Sequence, residues 1–517
     1  MAGEPVVVVG AGPVGLMLAG ELRLGGAEVI VLEKLRAPMT ESRASTLHAR
    51  TMELLDSRGL LEEVGAPPNE IMGHFGGIPL DLTLPSPYPG QWKVAQTRLE
   101  SILQGWALGL GADLRRGHEL TGLVAGLENV TWEAVGPHGP VRGTAPYVVG
   151  CDGESSRVRS LVGADFPSKA GSRGPESPRL LLRADVAGID IPNRRFQRLE
   201  NGLAIAARRG DGITRVMVHE FGRTTEPVDG HAGFADVAGA WMRVTGEDLR
   251  SGTPLWVNAF SDASRQVARY REGRVFFAGD AAHQQMPIGG QALNLGLHDA
   301  VNLGWKLALA ARGRASPELL DTYHRERYAV GDSVLSNIRA QAMLLLGGPE
   351  VEPLRSILAK LMEHEPVRTE LASRISGLDI RYEVGPGPYP LRGARMPHRL
   401  LRTAAGTTTS TALLRAGRGA LLVFTDDSSA RELEAAAAPW AARIDVVRAR
   451  IETEHPPLGT DAVLVRPDGY VLWARSEASD PIDLIAALRR WFGAPEAASR
   501  AGKPSPAGLE RTRDHRP

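Results

Sequence analysis

The sequence contains little that would support cysteine redox chemistry, a metal cluster or a membrane span. Cys151 is the only cysteine among 517 residues, so an intramolecular disulfide, a CxxC pair and a multi-cysteine metal site are excluded. The 60 basic and 60 acidic side chains give a formal net charge of +0, which disfavours nucleic acid and anionic membranes as partners. No run of about 18 apolar residues predicts a transmembrane helix. We therefore expect a cytoplasmic protein without a bound metal.

The apolar run over residues 6–20 resembles the core of a signal peptide, but no positively charged side chain precedes it and glycines interrupt it. We interpret it as a strand followed by a helix. The four valines at positions 6–9 predict a strand buried in a parallel sheet. Gly10, Gly12 and Gly15 follow directly, at the spacing of a dinucleotide-binding loop.

Each part of this loop has a physical role. The first glycine permits a tight turn, the second lets a pyrophosphate approach the backbone, and the third lets the helix over 14–24 pack on the strand. Glu33, at the tip of the second predicted strand, suits an acid that bonds a ribose hydroxyl. The alternative is a tight turn without a ligand. Glu33 does not separate FAD from NAD, but the chain has only one such fingerprint and so lacks a second Rossmann unit.

Two later strands also end in glycine-containing corners. The strand over 147–150 leads into Asp152 and Gly153, and the strand over 275–278 leads into Gly279 and Asp280. The second corner continues into a glycine-rich turn and a helix that we predict over 297–311. His283 follows this corner, where a structural hydrogen-bonding role is favoured over catalysis.

In this order, the three motifs resemble those of the single-component FAD-dependent aromatic hydroxylases, whose prototype is para-hydroxybenzoate hydroxylase. The segments 299–307 and 320–327 resemble the branch that acts on aromatic polyketides, of the angucycline hydroxylase type. The resemblance covers nearly the whole chain. It implies an α/β fold with a Rossmann-like FAD domain, a β-sheet substrate domain and a C-terminal thioredoxin-like domain.

The expected FAD domain is discontinuous, over 1–70, 95–175 and 266–385, and the substrate domain covers 71–94 and 176–265. The thioredoxin-like domain is expected over 398–494, followed by a disordered tail at 495–517. Because this domain has no CxxC pair, we expect it to serve packing or oligomerisation, in a monomer or a homodimer.

The resemblance implies non-covalently bound FAD, NADPH or NADH as a transient reductant, and O2. In this family a flavin C4a-hydroperoxide delivers one oxygen to an electron-rich ring, so the cofactor performs the difficult step. The implied function is hydroxylation of a polycyclic aromatic polyketide in antibiotic biosynthesis. Baeyer–Villiger oxygenation of a polyketide ketone or quinone, a rifampicin-type drug-modifying reaction and a flavin-binding scaffold without turnover remain as alternatives.

The resemblance also implies cofactor contacts outside the first loop. Arg43 precedes a helix, and its position alone allows either a pyrophosphate ligand or a surface arginine. The resemblance favours the pyrophosphate ligand. Asp280 is expected at the ribityl or pyrophosphate group, Gln96 and Leu120 against the cofactor, and the Asp152–Gly153 corner at both FAD and NADPH.

The backbone at Pro287, Gly289 and Gly290 is expected beside the reacting flavin carbon, where N–H groups can stabilise developing charge. The family usually has glycine where this chain has Ala292, which leaves the local backbone shape open. The complete predicted cofactor set is Gly10, Gly12, Pro13, Val14, Gly15, Glu33, Lys34, Arg43, Gln96, Leu120, Asp152, Gly153, Gly279, Asp280, Pro287, Gly290, Gln291, Ala292, Leu293 and Asn294.

A Pro- and Gly-rich excursion over 65–92 predicts a cover over a substrate cavity, with a small separate β core as the alternative. Alternation in the β-rich segment 180–265 places two further candidates on one strand face. No side chain is assigned as a catalytic base. The predicted substrate residues are His74, Phe75, Trp92, Met217, His219 and Met286.

Overall fold

A computed structural model of the chain describes residues 4–40, 44–169, 179–209, 211–222, 232–315, 317–385, 387, 389–426, 428–452, 458–475 and 481–496. Arg43 and most of the predicted tail lie outside these residues. The strands are β1 (Val6–Val9), β2 (Val29–Glu33), β3 (Leu47–His48), β4 (Asn69–Glu70), β5 (Met72–Phe75), β6 (Ile78–Asp81), β7 (Gln91–Trp92), β8 (Asp113–Arg116), β9 (Glu119–Ala125), β10 (Val130–Gly136), β11 (Gly139–Ala145), β12 (Val148–Gly150), β13 (Leu180–Ala187), β14 (Arg194–Leu199), β15 (Gly202–Arg208), β16 (Ile213–Glu220), β17 (Thr253–Ser261), β18 (Arg265–Gln266), β19 (Arg271–Glu272), β20 (Val275–Phe277), β21 (His283–Gln284), β22 (Leu400–Thr403), β23 (Gly406–Thr409), β24 (Gly419–Val423), β25 (Ile444–Arg448), β26 (Arg450–Ile451), β27 (Ala462–Val465) and β28 (Val471–Ala474). The α-helices are α1 (Pro13–Leu24), α2 (Ala49–Asp56), α3 (Leu61–Val64), α4 (Gln96–Gly109), α5 (Arg157–Leu161), α6 (Phe234–Thr245), α7 (Gln291–Ala311), α8 (Pro317–Leu346), α9 (Glu352–Leu361), α10 (Glu365–Ser376), α11 (Ser428–Ala437) and α12 (Pro481–Phe492).

The main sheet brings the three sequence motifs together. Its order is β19-β20-β12-β1-β2-β8, and β1, β2, β12 and β20 run parallel. Val9 pairs with Gly150, and Gly150 pairs with Phe277. The carboxyl ends of β1, β12 and β20 therefore meet at one edge of the sheet, which is where open α/β sheets bind their ligands.

Helices α1 and α7 pack closely beside this sheet. Gly304 of α7 permits the contact, because a Cβ built there would lie 2.3 Å from the Cβ of Glu21. The 21 residues of α7 are mostly buried, whereas the 30-residue α8 extends toward the substrate sheet. None of the described helices combines the length and the apolar character that crossing a bilayer requires.

The substrate sheet is antiparallel, in the order β14-β15-β16-β13-β17. One face packs on α6, where Trp241 is fully buried, and the other packs on α8 through Leu203 and Ile338. Edge strand β14 has the sequence Arg-Arg-Phe-Gln-Arg-Leu, and its polar composition gave no strand signal.

The C-terminal domain contains a mixed sheet in the order β25-β24-β27-β28, flanked by α11 and α12. It attaches to the FAD-domain helices through a buried group that we call the interdomain cluster. The Arg466 guanidinium donates to both Glu326 carboxylate oxygens at 2.8 and 2.9 Å and to Asp468 at 2.9 Å. The Lys306 ammonium donates to Glu326 and to the Asn302 side chain, both at 2.8 Å. This arrangement agrees with a packing role for the domain.

Candidate active site

The glycine loop between β1 and α1 has no room for a side chain at Gly10 or Gly15. A Cβ at Gly10, where φ is +104°, would lie 2.4 Å from the Cys151 carbonyl oxygen, and one at Gly15 would lie 2.0 Å from the Gly10 oxygen. At Gly12 no atom lies within 4 Å of a built Cβ. The loop therefore packs tightly on both sides and leaves open space in front of Gly12, where a pyrophosphate would approach. Pro13 begins α1 without sacrificing a needed N–H.

Glu33 holds this loop in place. Its carboxylate accepts the Ala11 amide at 2.7 Å and the Leu35 amide at 2.8 Å, and the side chain is buried at the tip of β2. Each carboxylate oxygen can accept a further hydrogen bond, so this anchoring is compatible with the predicted ribose contact. Lys34 beside it is exposed.

The second corner is linked to the third. The Asp152 carboxylate accepts the Ser156 hydroxyl at 2.6 Å and the amides of Arg157 and Val158 at 2.6 and 3.0 Å, so it caps α5. The Arg159 guanidinium donates to the Ala281 carbonyl at 3.0 Å. Gly153, with φ of +82°, has no atom within 4 Å of a built Cβ. Hydrogen bonds to the Asp152 carboxylate thus hold the shape of this corner. The predicted contact of the corner with FAD and NADPH stays a prediction.

Two other predicted contacts lie apart from the glycine loop. The Gln96 side-chain oxygen accepts the Ala44 amide at 3.2 Å, and its backbone amide donates to the Ala44 carbonyl at 3.0 Å. Gln96 therefore holds the segment that follows Arg43. Leu120 is buried in the main core.

The third corner rests on a buried aspartate that the sequence did not single out. The Asp299 carboxylate accepts the Gly279 amide at 3.1 Å, the His283 ring nitrogen Nε2 at 2.8 Å and the Arg327 guanidinium at 2.7 Å. Burial alone would raise the pKa of Asp299, but Arg327 and His283 outweigh that effect and hold the pKa below its ordinary value. His283 is completely buried in this network, in agreement with a structural role, whereas Asp280 is exposed.

The turn that follows enters α7 earlier than expected. Gly289 and Gly290 have φ of +66° and +68°, and α7 begins at Gln291 instead of the predicted Leu297. The predicted helix start was wrong because no start or stop signal separates Gln291 to Asn294 from the glycines before them. Gln291 to Asn294 form the first turn of α7, whose N–H groups and positive dipole end suit electron-rich ligand atoms.

A set of hydrogen bonds ties this turn to β3. The ring nitrogen Nε2 of His48 lies 2.7 Å from the Gly289 carbonyl, and the Asn294 side-chain amide donates to the Gly290 carbonyl at 2.7 Å. The Asn294 side-chain oxygen accepts the His48 amide at 2.9 Å. Burial lowers the pKa of His48 to about 4, so the neutral ring donates from Nε2. Since C=O and N–H point oppositely in a trans peptide, the bond between His48 and the Gly289 carbonyl makes the Gly290 amide face away from β3.

A cavity of about 440 Å³ lies beside this turn. Gly289 and Thr46 contribute to its wall from the FAD domain, and Phe196 and Ile205 contribute from the substrate sheet. His74 lines it as well; burial lowers the pKa of this histidine to about 3, which keeps it neutral. Charged side chains at the same cavity are Glu70, Lys93, Arg194, Arg195 and Arg208.

Three other predicted substrate residues lie in packing clusters. Phe75 is buried with Ile78 against α9 and α10, and Met286 is buried in the cluster between the substrate sheet and α8. Met217 is half-buried against that same cluster. The alternation of β16 therefore points Met217 toward α8.

The remaining two are held by hydrogen bonds to backbone carbonyls. The Trp92 ring N–H donates to the Tyr88 carbonyl at 3.1 Å. The ring nitrogens of His219 lie 2.8 and 3.1 Å from the carbonyl oxygens of Leu180 and Leu346. Of the predicted substrate residues, His74 is the one that the structure places at this cavity.

Comparison with known families matches both ends of the chain. Residues 4–338 match the family described as FAD binding domain, and residues 389–495 match the family described as aromatic-ring hydroxylase, C-terminal. The matches together span the FAD-domain motifs, the substrate sheet and the C-terminal domain.

Individual relatives are similar over almost their whole length. A 12-dehydrotetracycline 5-monooxygenase/anhydrotetracycline 6-monooxygenase of Streptomyces rimosus is 40% identical over 95% of this chain and 99% of its own. A rifampicin monooxygenase of Streptomyces venezuelae is 39% identical, with the same coverage. The solved structure of an aromatic hydroxylase from angucycline biosynthesis is 46% identical, covers 96% of this chain and 100% of its own, and superposes with a TM-score of 0.89.

Proposed function

The chain belongs to the family of FAD-dependent aromatic-ring hydroxylases, and from this membership we propose that it hydroxylates a polycyclic aromatic polyketide in the biosynthesis of an antibiotic. As a member of that family it is an FAD-dependent monooxygenase that consumes NAD(P)H and O2. Bound FAD supplies the redox and oxygen-transfer chemistry, and the protein supplies binding, orientation and a dry site.

The residues at the sheet edge fit FAD. The open space before Gly12 and the N-terminus of α1 suit its pyrophosphate, and Glu33 is positioned for its ribose. Exposed Asp280 faces the same edge, at the place proposed for the ribityl chain. The first turn of α7 is proposed to hold the isoalloxazine ring. The hydrogen bond between His48 and the Gly289 carbonyl turns the Gly290 amide away from β3, as a donor for that ring, and the Gln291 amide belongs to the first turn of α7, whose N–H groups have no partner within the helix.

One observation carries the proposed substrate class. The cavity of about 440 Å³ has Gly289, from the turn proposed for the flavin, in its wall. Its size lies within the usual range for small-molecule sites, roughly 300–1,000 Å³. Phe196 gives it a ring for stacking, Ile205 adds apolar surface, and neutral His74 supplies a polar group that can orient a phenol. This combination suits a flat, hydroxylated ring system.

A second candidate reaction is oxygenation of a drug-like quinone or ketone. Similarity to the rifampicin monooxygenase supports it, because that relative is nearly as similar to this chain as the tetracycline-modifying one, with the same coverage. Baeyer–Villiger insertion belongs to this candidate, since it uses the same cofactor on a carbonyl carbon.

The deciding experiment incubates FAD-loaded enzyme with NADPH or NADH and one of three probes: anhydrotetracycline, an angucycline-type tetracyclic phenol, or rifampicin. We expect the phenols to accelerate NAD(P)H oxidation above the substrate-free rate and to gain one oxygen with their rings intact. Hydroxylation and Baeyer–Villiger insertion give the same mass, so mild alkali separates them: a lactone adds water, and a phenol does not. Absence of oxidation with every probe, in enzyme that retains FAD, would refute both candidates.

A further inference from the structure

Phe196 has an unusual backbone. Its φ is +49°, and among the described residues it is the one non-glycine residue with positive φ. In this left-handed region the Cβ of an L-residue lies too close to its own backbone, so bulky side chains rarely occur there. Residues held in this way persist only where the surroundings impose the conformation, and they concentrate at functional sites.

A bulge in β14 imposes this conformation. Arg194 pairs with Ala206 and Gln197 pairs with Ala204, so Arg195 and Phe196 together stand opposite the single residue Ile205. A bulge redirects the side chains beside it, and its left-handed position is normally glycine. This chain places a phenylalanine there instead.

The redirected ring lies at the cavity. Its centroid is 4.0 Å from the centroid of the His74 ring, with the planes tilted by 49°. Phe196, His74 and Ile205 all line the cavity that Gly289 borders. Phe196 is half-buried, whereas Arg195 and Gln197 on either side of it are exposed. Arg194 and Arg195 also border the cavity, so Phe196 is the apolar side chain that β14 contributes to its wall.

We propose that Phe196 is a specificity-determining residue, whose ring forms a wall of the cavity and limits the length of the fused ring system that can enter. This rests on the proposed function, because it takes the cavity to be the substrate's. Packing alone does not account for the geometry. Phe260 packs against the same cluster between the sheet and α8 from β17, with no positive φ.

The first test is thermal unfolding of the FAD-loaded enzyme, at saturating FAD, with glycine and alanine at each of the two phenylalanines. In an ordinary strand glycine is the worse replacement, so Phe260→Gly should melt below Phe260→Ala by roughly 1–3 °C. At Phe196 the order should reverse, because glycine accepts the left-handed backbone and alanine does not. The same order at both positions would show that the bulge does not impose the conformation, and would overturn the proposal.

The second test is calorimetric binding to the FAD-loaded enzyme of three phenols with two, three and four fused rings: 1-naphthol, 1-anthrol and anhydrotetracycline. The measured quantity is the ratio of the affinity for the tetracyclic probe to the affinity for the bicyclic one. This ratio should be at least about tenfold higher in Phe196→Ala than in wild type, which corresponds to about 1.4 kcal/mol. Phe260→Ala should leave the ratio between probes unchanged.

An unchanged ratio in Phe196→Ala, with wild-type binding intact, would overturn this proposal and leave the proposed function standing. A wild-type enzyme that binds none of the phenols would count against the proposed function itself, and this proposal would fall with it.

Discussion

The edge of the main sheet and the interdomain cluster are both rich in charged and polar groups, but they use them differently. In the cluster, Glu326, Arg466 and Lys306 are buried and donate to or accept from one another. At the sheet edge, no atom lies within 4 Å of a Cβ built at Gly12, and Asp280 is exposed to solvent. Buried polar groups that bond one another stabilise the fold, and solvent-exposed groups at the carboxyl edge of the sheet can be reached by a ligand.

The pKa values in the interdomain cluster follow from the burial of its charged groups beside one another. Burial would raise the pKa of Glu326, yet Arg466 and Lys306 outweigh it and lower the pKa to about 2. Burial lowers the pKa of Lys306 to about 7 despite the neighbouring carboxylate. The charges depend on one another, so loss of one partner leaves a buried charge uncompensated.

The largest expected effect comes from opening the cluster. Arg466→Met removes one of the two cations that pair with Glu326 and the guanidinium that pairs with Asp468, and should lower the free energy of unfolding by about 3–5 kcal/mol. Urea denaturation of the apoprotein measures it. The matched control is Arg402→Met in the same domain: that side chain is 67% exposed and pairs with Glu452 at 2.8 Å, so its loss should cost no more than about 1 kcal/mol. An equal loss of unfolding free energy in the two variants would contradict the conclusion that the cluster stabilises the fold.

The next effect is on the ligand-facing side. Asp280→Ala should weaken FAD binding by about tenfold to a hundredfold, because it removes a charged hydrogen-bonding group worth about 1.5–3 kcal/mol. Stability of the apoprotein should change by no more than about 1 kcal/mol, as for other exposed charged groups. FAD titration and urea denaturation of the same preparation measure both quantities. The comparison with Arg466→Met is strongest if Asp280→Ala loses FAD affinity without losing stability and Arg466→Met loses stability. The comparison fails if Asp280→Ala purifies with full FAD occupancy.

Much of this contrast follows from local sequence. The valines of β1, the glycine spacing and Glu33 predict the first loop, and parallel pairing then requires the corners after β12 and β20 to meet it. The strand and helix patterns over 398–494 predict a separate C-terminal domain, and these bounds stay a prediction. Local periodicity carries these features because each depends on residues close together in the chain.

The supporting contacts could not be predicted in this way. His48 and Asn294 are 246 residues apart, and Arg327 reaches Asp299 from another helix. Such pairs depend on how helices pack, which no single segment encodes. The bulge at Phe196 also escaped prediction, because a phenylalanine at a left-handed position contradicts the local preference that a sequence reading relies on.

The smallest expected effect concerns Ala292, where the family usually has glycine. The residue is half-buried in the first turn of α7 and is not among the positions with positive φ, so its backbone has no need of glycine. Ala292→Gly should therefore cost up to about 1 kcal/mol of stability through lost helix propensity, and leave the affinity for FAD within about twofold. Urea denaturation and FAD titration test the two halves separately. A gain of tenfold or more in FAD affinity would show that the methyl group occupies space the flavin needs, and the first turn of α7 would then be a less open part of the sheet edge than its geometry indicates.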